Sequence, residues 1–183
     1  DDTTSQVHGM STDGDVAWAS SCDSTQSHCR AFLWIKPGTV VPLMLPGYTV
    51  SFVDAVAPNG SAVAGESCDT SYAHCESFVW TAAGGVERLT LPGYVTSFSG
   101  GNSISQDGST IVGGACDEDY LVCEPFVWTR SSGVEALDLP AGAVSGWANG
   151  VAANGSMAYG DSMAPDVPSP EAVVWGLRSD NCP

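Results

Sequence analysis

Basic side chains are scarce in this sequence: five Lys and Arg stand against 21 Asp and Glu, a net charge of -16 over 183 residues. Nucleic acid and anionic membrane surfaces repel such a chain, which removes two classes of partner. No apolar run approaches the roughly 20 residues that span a bilayer, so membrane insertion is not expected. Apolar spacing at 3.6 residues is missing as well, which all but excludes helices. The catalytic inventory is equally thin. The sequence shows no reliable orienting partner for any of the three histidines, His8, His28 and His74. There is no Gly-x-Ser-x-Gly elbow, phosphate loop or Cys-x-x-Cys-His haem site. Carboxylates are plentiful, but they recur from copy to copy of a repeat and do not form one specialised acid–base pair. Neither an enzyme nor an obligatory cofactor is expected.

The repeat is the informative feature. Gly60, Cys68, Cys75, Trp80 and Pro92 recur upstream as Gly14, Cys22, Cys29, Trp34 and Pro46. Downstream they recur as Gly108, Cys116, Cys123, Trp128 and Pro140, and a shorter fourth copy runs from Gly155 to Trp175. Gly to Trp is 20 residues in every copy and Trp to Pro is 12 in three, while Pro to the next Gly varies as 14, 16 and 15. Fixed spacing within units and slack between them describes stacked modules with adjustable linkers.

Each copy holds strand-sized runs. The first leads into Asp13-Gly14, Asn59-Gly60, Asp107-Gly108 or Asn154-Gly155, the strongest short-range hairpin signal. The next two runs are apolar at successive positions, as in Ala62–Gly65 and Phe78–Thr81. The last alternates, as in Leu89-Thr90-Leu91. Inner strands packed on both faces and an outer strand with one wet face predict β-propeller blades. The expected fold is therefore all-β: one domain over 1–183, a β-propeller of four four-stranded blades of 46–48 residues. The blades fall near 6–46, 52–92, 98–140 and 147–177, with a C-terminal tail at 178–183. The spacing places the outer run of blade four beyond Pro183, so blade four lacks its own outer strand. Asp1–Gln6 is one candidate to cover the resulting edge at Ala172, Val173, Val174 and Trp175; a neighbouring subunit or a longer parent chain is another.

Cysteine spacing bears on the compartment. Cys22/Cys29, Cys68/Cys75 and Cys116/Cys123 are three Cys-x6-Cys pairs, and copy four loses both members together, to Met163 and Pro170. Self-contained local disulfides explain that joint loss, and they imply an oxidising, extracellular or cell-surface setting. A zinc site using His28 and His74 does not fit copy three, which has Val122 at that position. The first residues, Asp1-Asp2, suit a processed mature protein. Cys182 is the odd cysteine, a candidate link to another chain.

Arg30-Ala31-Phe32-Leu33-Trp34, the Asx-Gly turns and Val63-Ala64-Gly65-Glu66-Ser67 resemble the extracellular HAF-repeat family, named for a His-Ala-Phe motif. The likeness covers nearly the whole chain in four copies. The namesake His is absent, with Arg30, Glu76, Glu124 and Glu171 in its place, and the cysteine pairs are an addition. The resemblance implies secreted or surface propeller modules, mostly without assigned chemistry.

Candidate contacts follow from that frame. Tyr48, Phe52, Tyr94, Phe98 and Trp147 lie in or beside the variable linkers, where propellers usually meet ligands, and a neutral glycan is the matching ligand class. Trp34, Trp80, Trp128 and Trp175 are expected to be core. Asp117 and Asp119 are weak Ca²⁺ candidates on an acidic rim, without a twelve-residue calcium loop. Asn59-Gly60-Ser61 and Asn154-Gly155-Ser156 match the N-glycosylation sequon but are also hairpin turns. The favoured expectation is a non-enzymatic structural or adhesive module that binds itself, as an oligomer or a fibre, through the edge of blade four. The alternative is a lectin-like propeller, with a propeller-type hydrolase or lyase ranking last.

Overall fold

The computed structural model describes residues 2–165, 167 and 169–177, so Asp1 and the tail with Cys182 lie outside the described residues. Among the described residues, fifteen strands and no helix form four antiparallel sheets. Blade one contains β1 (Thr4–Met10), β2 (Val16–Cys22), β3 (Cys29–Ile35) and β4 (Thr39–Leu43). Blade two contains β5 (Val50–Val56), β6 (Ala62–Cys68), β7 (Cys75–Thr81) and β8 (Gly85–Leu89). Blade three contains β9 (Thr96–Phe98), β10 (Thr110–Cys116), β11 (Cys123–Thr129) and β12 (Gly133–Ala136). Blade four contains β13 (Ser145–Val151), β14 (Met157–Met163) and β15 (Glu171–Gly176). Within each sheet the strands lie in chain order, the meander that hairpin turns produce.

The turns obey their chemistry. Gly14, Gly60, Gly108 and Gly155 all have φ between +68 and +73°, a left-handed conformation that disfavours side chains. The inner strands begin about two residues earlier than the sequence runs suggested. In blade three the difference is larger: the expected inner run leading into Asp107-Gly108 is mostly not strand, because Ser99–Ser103 form an irregular detour before Ile104 bridges Ile111. Within the Asp1–Gln6 candidate, Thr4–Gln6 does not close blade four. Thr4, Ser5 and Gln6 pair with Cys22, Ser21 and Ser20 as the inner strand of blade one, so that segment is already committed.

Packing runs from blade to blade, with no single centre. One apolar cluster joins blades one and two through Leu33, Leu43, Phe78 and Trp80. A second joins blades two and three through Val79, Leu89, Phe126 and Trp128. A third joins blades three and four through Val112, Val127, Ala158 and Trp175. Among the described residues no cluster joins blade four to blade one, so the four blades form an open arc. We call the face of a blade that meets the preceding blade its front and the opposite face its rear.

A serine latch repeats at each junction. Ser51 Oγ accepts from the Ala31 N–H at 2.9 Å, Ser97 Oγ from the Ser77 N–H at 2.8 Å and Ser145 Oγ from the Cys123 N–H at 2.8 Å. The third donor sits two residues earlier than its counterparts because the equivalent position is Pro125, which has no N–H.

Cys22–Cys29, Cys68–Cys75 and Cys116–Cys123 are disulfides, each joining directly opposed residues of the middle strands. Inside each closed loop an aspartate caps the chain: Asp23, Asp69 and Asp117 accept from backbone N–H groups two to five residues on. Replacing Cys116 and Cys123 together by Ala should lower the unfolding free energy by about 2–3 kcal/mol, the loop-closure value for so short a ring. Urea unfolding of the double variant beside the parent measures it.

Candidate functional site

The inner strands carry an irregularity at one repeated place. Register slips by a residue between Val7 and Gly9, between Val53 and Ala55, and between Ala148 and Gly150. Such bulges re-aim the extra side chain, and the three re-aimed residues are His8, Asp54 and Asn149. Each is six residues before its turn glycine, and the matching residues six after it are Ser20, Glu66 and Asp161. His8 Nε2 lies 2.7 Å from Ser20 Oγ, and Asn149 Nδ2 donates to Asp161 Oδ2 at 2.6 Å. Three blades thus place a polar pair at the same position of the inner rim. Blade three has Gly114 at the second position, with its inner strand diverted through Ser99–Ser103.

The blade-two pair is the most perturbed. Ser99 reaches over from blade three and donates its Oγ–H to Asp54 Oδ2 at 3.2 Å. Burial, with the nearby Glu66 carboxylate, pushes Asp54 up to about 7. Burial also raises Glu66, against a hydrogen bond from the Ser99 backbone. Folded chains therefore keep protons that unfolded chains release, in the window from about pH 4 to 7. Stability falls as pH rises through that window, because the native state binds more protons there. Asp54→Asn should flatten this fall and raise stability at pH 8 by roughly 2 kcal/mol, about half the full linkage value because the pair is partly open to water. Thermal unfolding of both chains from pH 4 to 8 tests this.

Beside these pairs stands a row of aromatics. Phe52 pairs with Glu66, Phe98 with Gly114 and Trp147 with Asp161, so the three rings occupy one register position in blades two, three and four. All three are half-buried. Phe52 also stacks on Tyr72, with centroids 6.0 Å apart and planes at 27°. The remaining linker aromatics are differently employed. Tyr48 donates its hydroxyl to Glu76 Oε2 at 2.5 Å and Tyr94 to Glu124 Oε2 at 2.9 Å, tying each linker to the following blade. Arg88 adds an ion pair to Glu76 at 3.1 Å. Glu76 and Glu124 thus serve as anchors for tyrosines.

The acidic rim is largely self-satisfied. Asp117 Oδ1 accepts from the Leu121 and Val122 N–H groups at 2.8 and 3.2 Å, while Asp119 is exposed. Asp23 binds His28 Nδ1 at 2.7 Å, which holds its carboxyl well below the usual carboxylate range, and Asp69 is lowered by Ser71 and backbone donors. Glu66, Cys68 and Cys75 cluster closely enough for a metal, but both sulfurs are oxidised to a disulfide and offer no thiolate.

At blade four, β15 pairs with β14 through Glu171–Gly176 and has no partner strand on its other side among the described residues. Trp80, Trp128 and Trp175 are buried as expected of core residues; Trp34, their counterpart in blade one, is exposed. The inner-rim pairs were not expected from the sequence. A signal was present, since every copy has a polar residue six before its turn glycine: His8, Asp54, Asn102 and Asn149.

Neither a family model nor a curated protein sequence matches the chain. Solved structures do. A protein assigned as TolB in Agrobacterium tumefaciens is 17% identical, with a TM-score of 0.54, over 96% of this chain and 63% of that one. TolB from Acinetobacter baumannii is 11% identical, with a TM-score of 0.55, over 94% of this chain and 41% of that one. The β-propeller domain of the trilobed protease from Pyrococcus furiosus, which has an open velcro topology, is 10% identical, with a TM-score of 0.54, over 98% of this chain and 57% of that one. The chain therefore spans less than two thirds of the length of each of these propellers. At such identities the likeness is one of fold: this chain is an unclosed arc of β-propeller blades.

Proposed function

We propose that the chain is a non-enzymatic structural or adhesive module of an extracellular surface, which works by association at blade four. One observation carries the reading: among the described residues, Ala172, Val173, Val174 and Trp175 lie in a strand with a free edge, while all fifteen strands are already used in their own blades. A free apolar edge is a template for strand addition, so a partner strand completes the sheet. Three disulfides are compatible with an oxidising setting, and among the described residues no helix is long and apolar enough to cross a membrane. A synthetic peptide copying Gly133–Leu139, the outer run of blade three, should bind saturably to the purified chain. Absence of binding, together with a monomeric mass at every concentration, would remove the reading.

A lectin-like role is the second reading, favoured by the row Phe52, Phe98 and Trp147 beside Glu66 and Asp161. Aromatic faces stack on sugar rings while carboxylates accept from hydroxyls. Saturable glycan binding that is lost on Trp147→Ala supports it; a blank glycan array removes it.

A further inference from the structure

We infer that the two ends of the arc dock on each other between copies, the rear of blade four on the front of blade one of a second molecule. This rests on the associative reading above, but it names the partner and moves the contact from a strand edge to a sheet face.

The front of blade one repeats an interface that the molecule has already built. Val53, Phe78 and Trp80 form the front of blade two and pack against blade one. Their register counterparts in blade one are Val7, Phe32 and Trp34. The chemistry is the same and the cover is missing. Trp34 is 39% exposed and Val7 64%, whereas Trp80 is 4% and Trp128 5% exposed.

The rear of blade four is the complementary surface. Met157, Tyr159 and Val174 point there and are 50, 46 and 60% exposed. Their register counterparts in blade one are Val16, Trp18 and Leu33, which pack against the front of blade two. A bulky apolar rear face therefore already fits a Phe–Trp front in this molecule. Tyr159 even lies over Gly150 as Trp18 lies over Gly9, each ring occupying the space a Cβ would need.

The polar latch is also complete at both ends. Ser5, the counterpart of Ser51 and Ser97, is exposed at the front of blade one. Ala172, the counterpart of Ala31 and Ser77, keeps its N–H, while Pro170 could not serve as Cys123 does. The Ala172 N–H of one copy donating to Ser5 Oγ of the next would be the fourth member of a series seen three times within the chain. Such a contact is head-to-tail, so it closes into a ring or continues as a filament.

The test is native mass across a concentration series for the whole chain, for Trp34→Glu and Tyr159→Glu, and for a 1:1 mixture of the two variants. The parent should associate. Each variant alone should weaken association by at least about 30-fold, the scale of an interface hot spot. The mixture should form a heterodimer and nothing longer, because one intact rear then meets one intact front. Both residues are exposed, so folding should persist in each variant; Met157→Glu replaces Tyr159→Glu if that chain fails to fold. If both variants assemble like the parent and the Gly133–Leu139 peptide dissolves the assembly, the face contact is overturned and the edge reading stands. A parent monomeric throughout overturns the face contact, and the edge reading falls with it if the Gly133–Leu139 peptide also fails to bind.

Discussion

Trp128→Ala should cost about 3–5 kcal/mol of unfolding free energy, and Trp34→Ala, the same change at the same repeat position, about 1 kcal/mol or less in the dissociated chain. Trp128 is buried between blades two and three against Leu89, Leu91 and Ile111. Its removal empties a site enclosed between the sheets of two neighbouring blades, so little collapse can refill it. Trp34 has water on one face, and truncation leaves no enclosed cavity. Urea midpoints for the two variants, taken well below any association concentration, give the comparison directly. Equal losses would mean that the front of blade one is covered in solution within a single chain, and the open arc would be wrong.

Gly113→Ala should cost about 3 kcal/mol or more. A Cβ there would lie 2.2 Å from the Phe98 carbonyl oxygen and 2.6 Å from Phe126 Cζ. The oxygen belongs to β9, only three residues long and paired with β10 through Gly114↔Phe98, so it cannot retreat without opening that ladder. The ring cannot retreat either, since Phe126 is fully buried in the cluster between blades two and three. Gly176→Ala is the control, with no heavy atom within 4 Å and no positive φ, and should fall within about 0.5 kcal/mol of the parent. Thermal unfolding of the pair separates a packing role from the general effect of replacing glycine in a strand.

Much of this architecture was legible because the repeat imposes it. The gradient from doubly apolar to alternating runs located the middle strands, and the fixed offset of cysteines from the turn glycine put each pair directly across a hairpin. The inner strands were harder to read. A bulge adds a residue without changing the hydrophobic pattern, so His8, Asp54 and Asn149 looked like ordinary strand positions. In blade three the Gly100-Gly101 insertion turns that bulge into a detour, which periodicity cannot see. The role of Tyr48 and Tyr94 was hidden for another reason: their acceptors, Glu76 and Glu124, are about thirty residues away and look like surface acids. The openness of the arc was not legible at all, since a repeat count says nothing about whether the first and last faces meet.

Three separate apolar clusters, each shared by two neighbouring blades, also fix how the chain responds to stress. Among the described residues no apolar cluster is shared by more than two blades, so apolar packing passes along the arc from neighbour to neighbour, as in a row of coupled links. Blades two and three are each held by two junctions, and blades one and four by one. Heat or denaturant should then fray the arc inward from its tips, with the middle pair persisting as the last cooperative unit. Capping either tip, by whatever means, would do more for the lifetime of the whole than strengthening any contact in the middle.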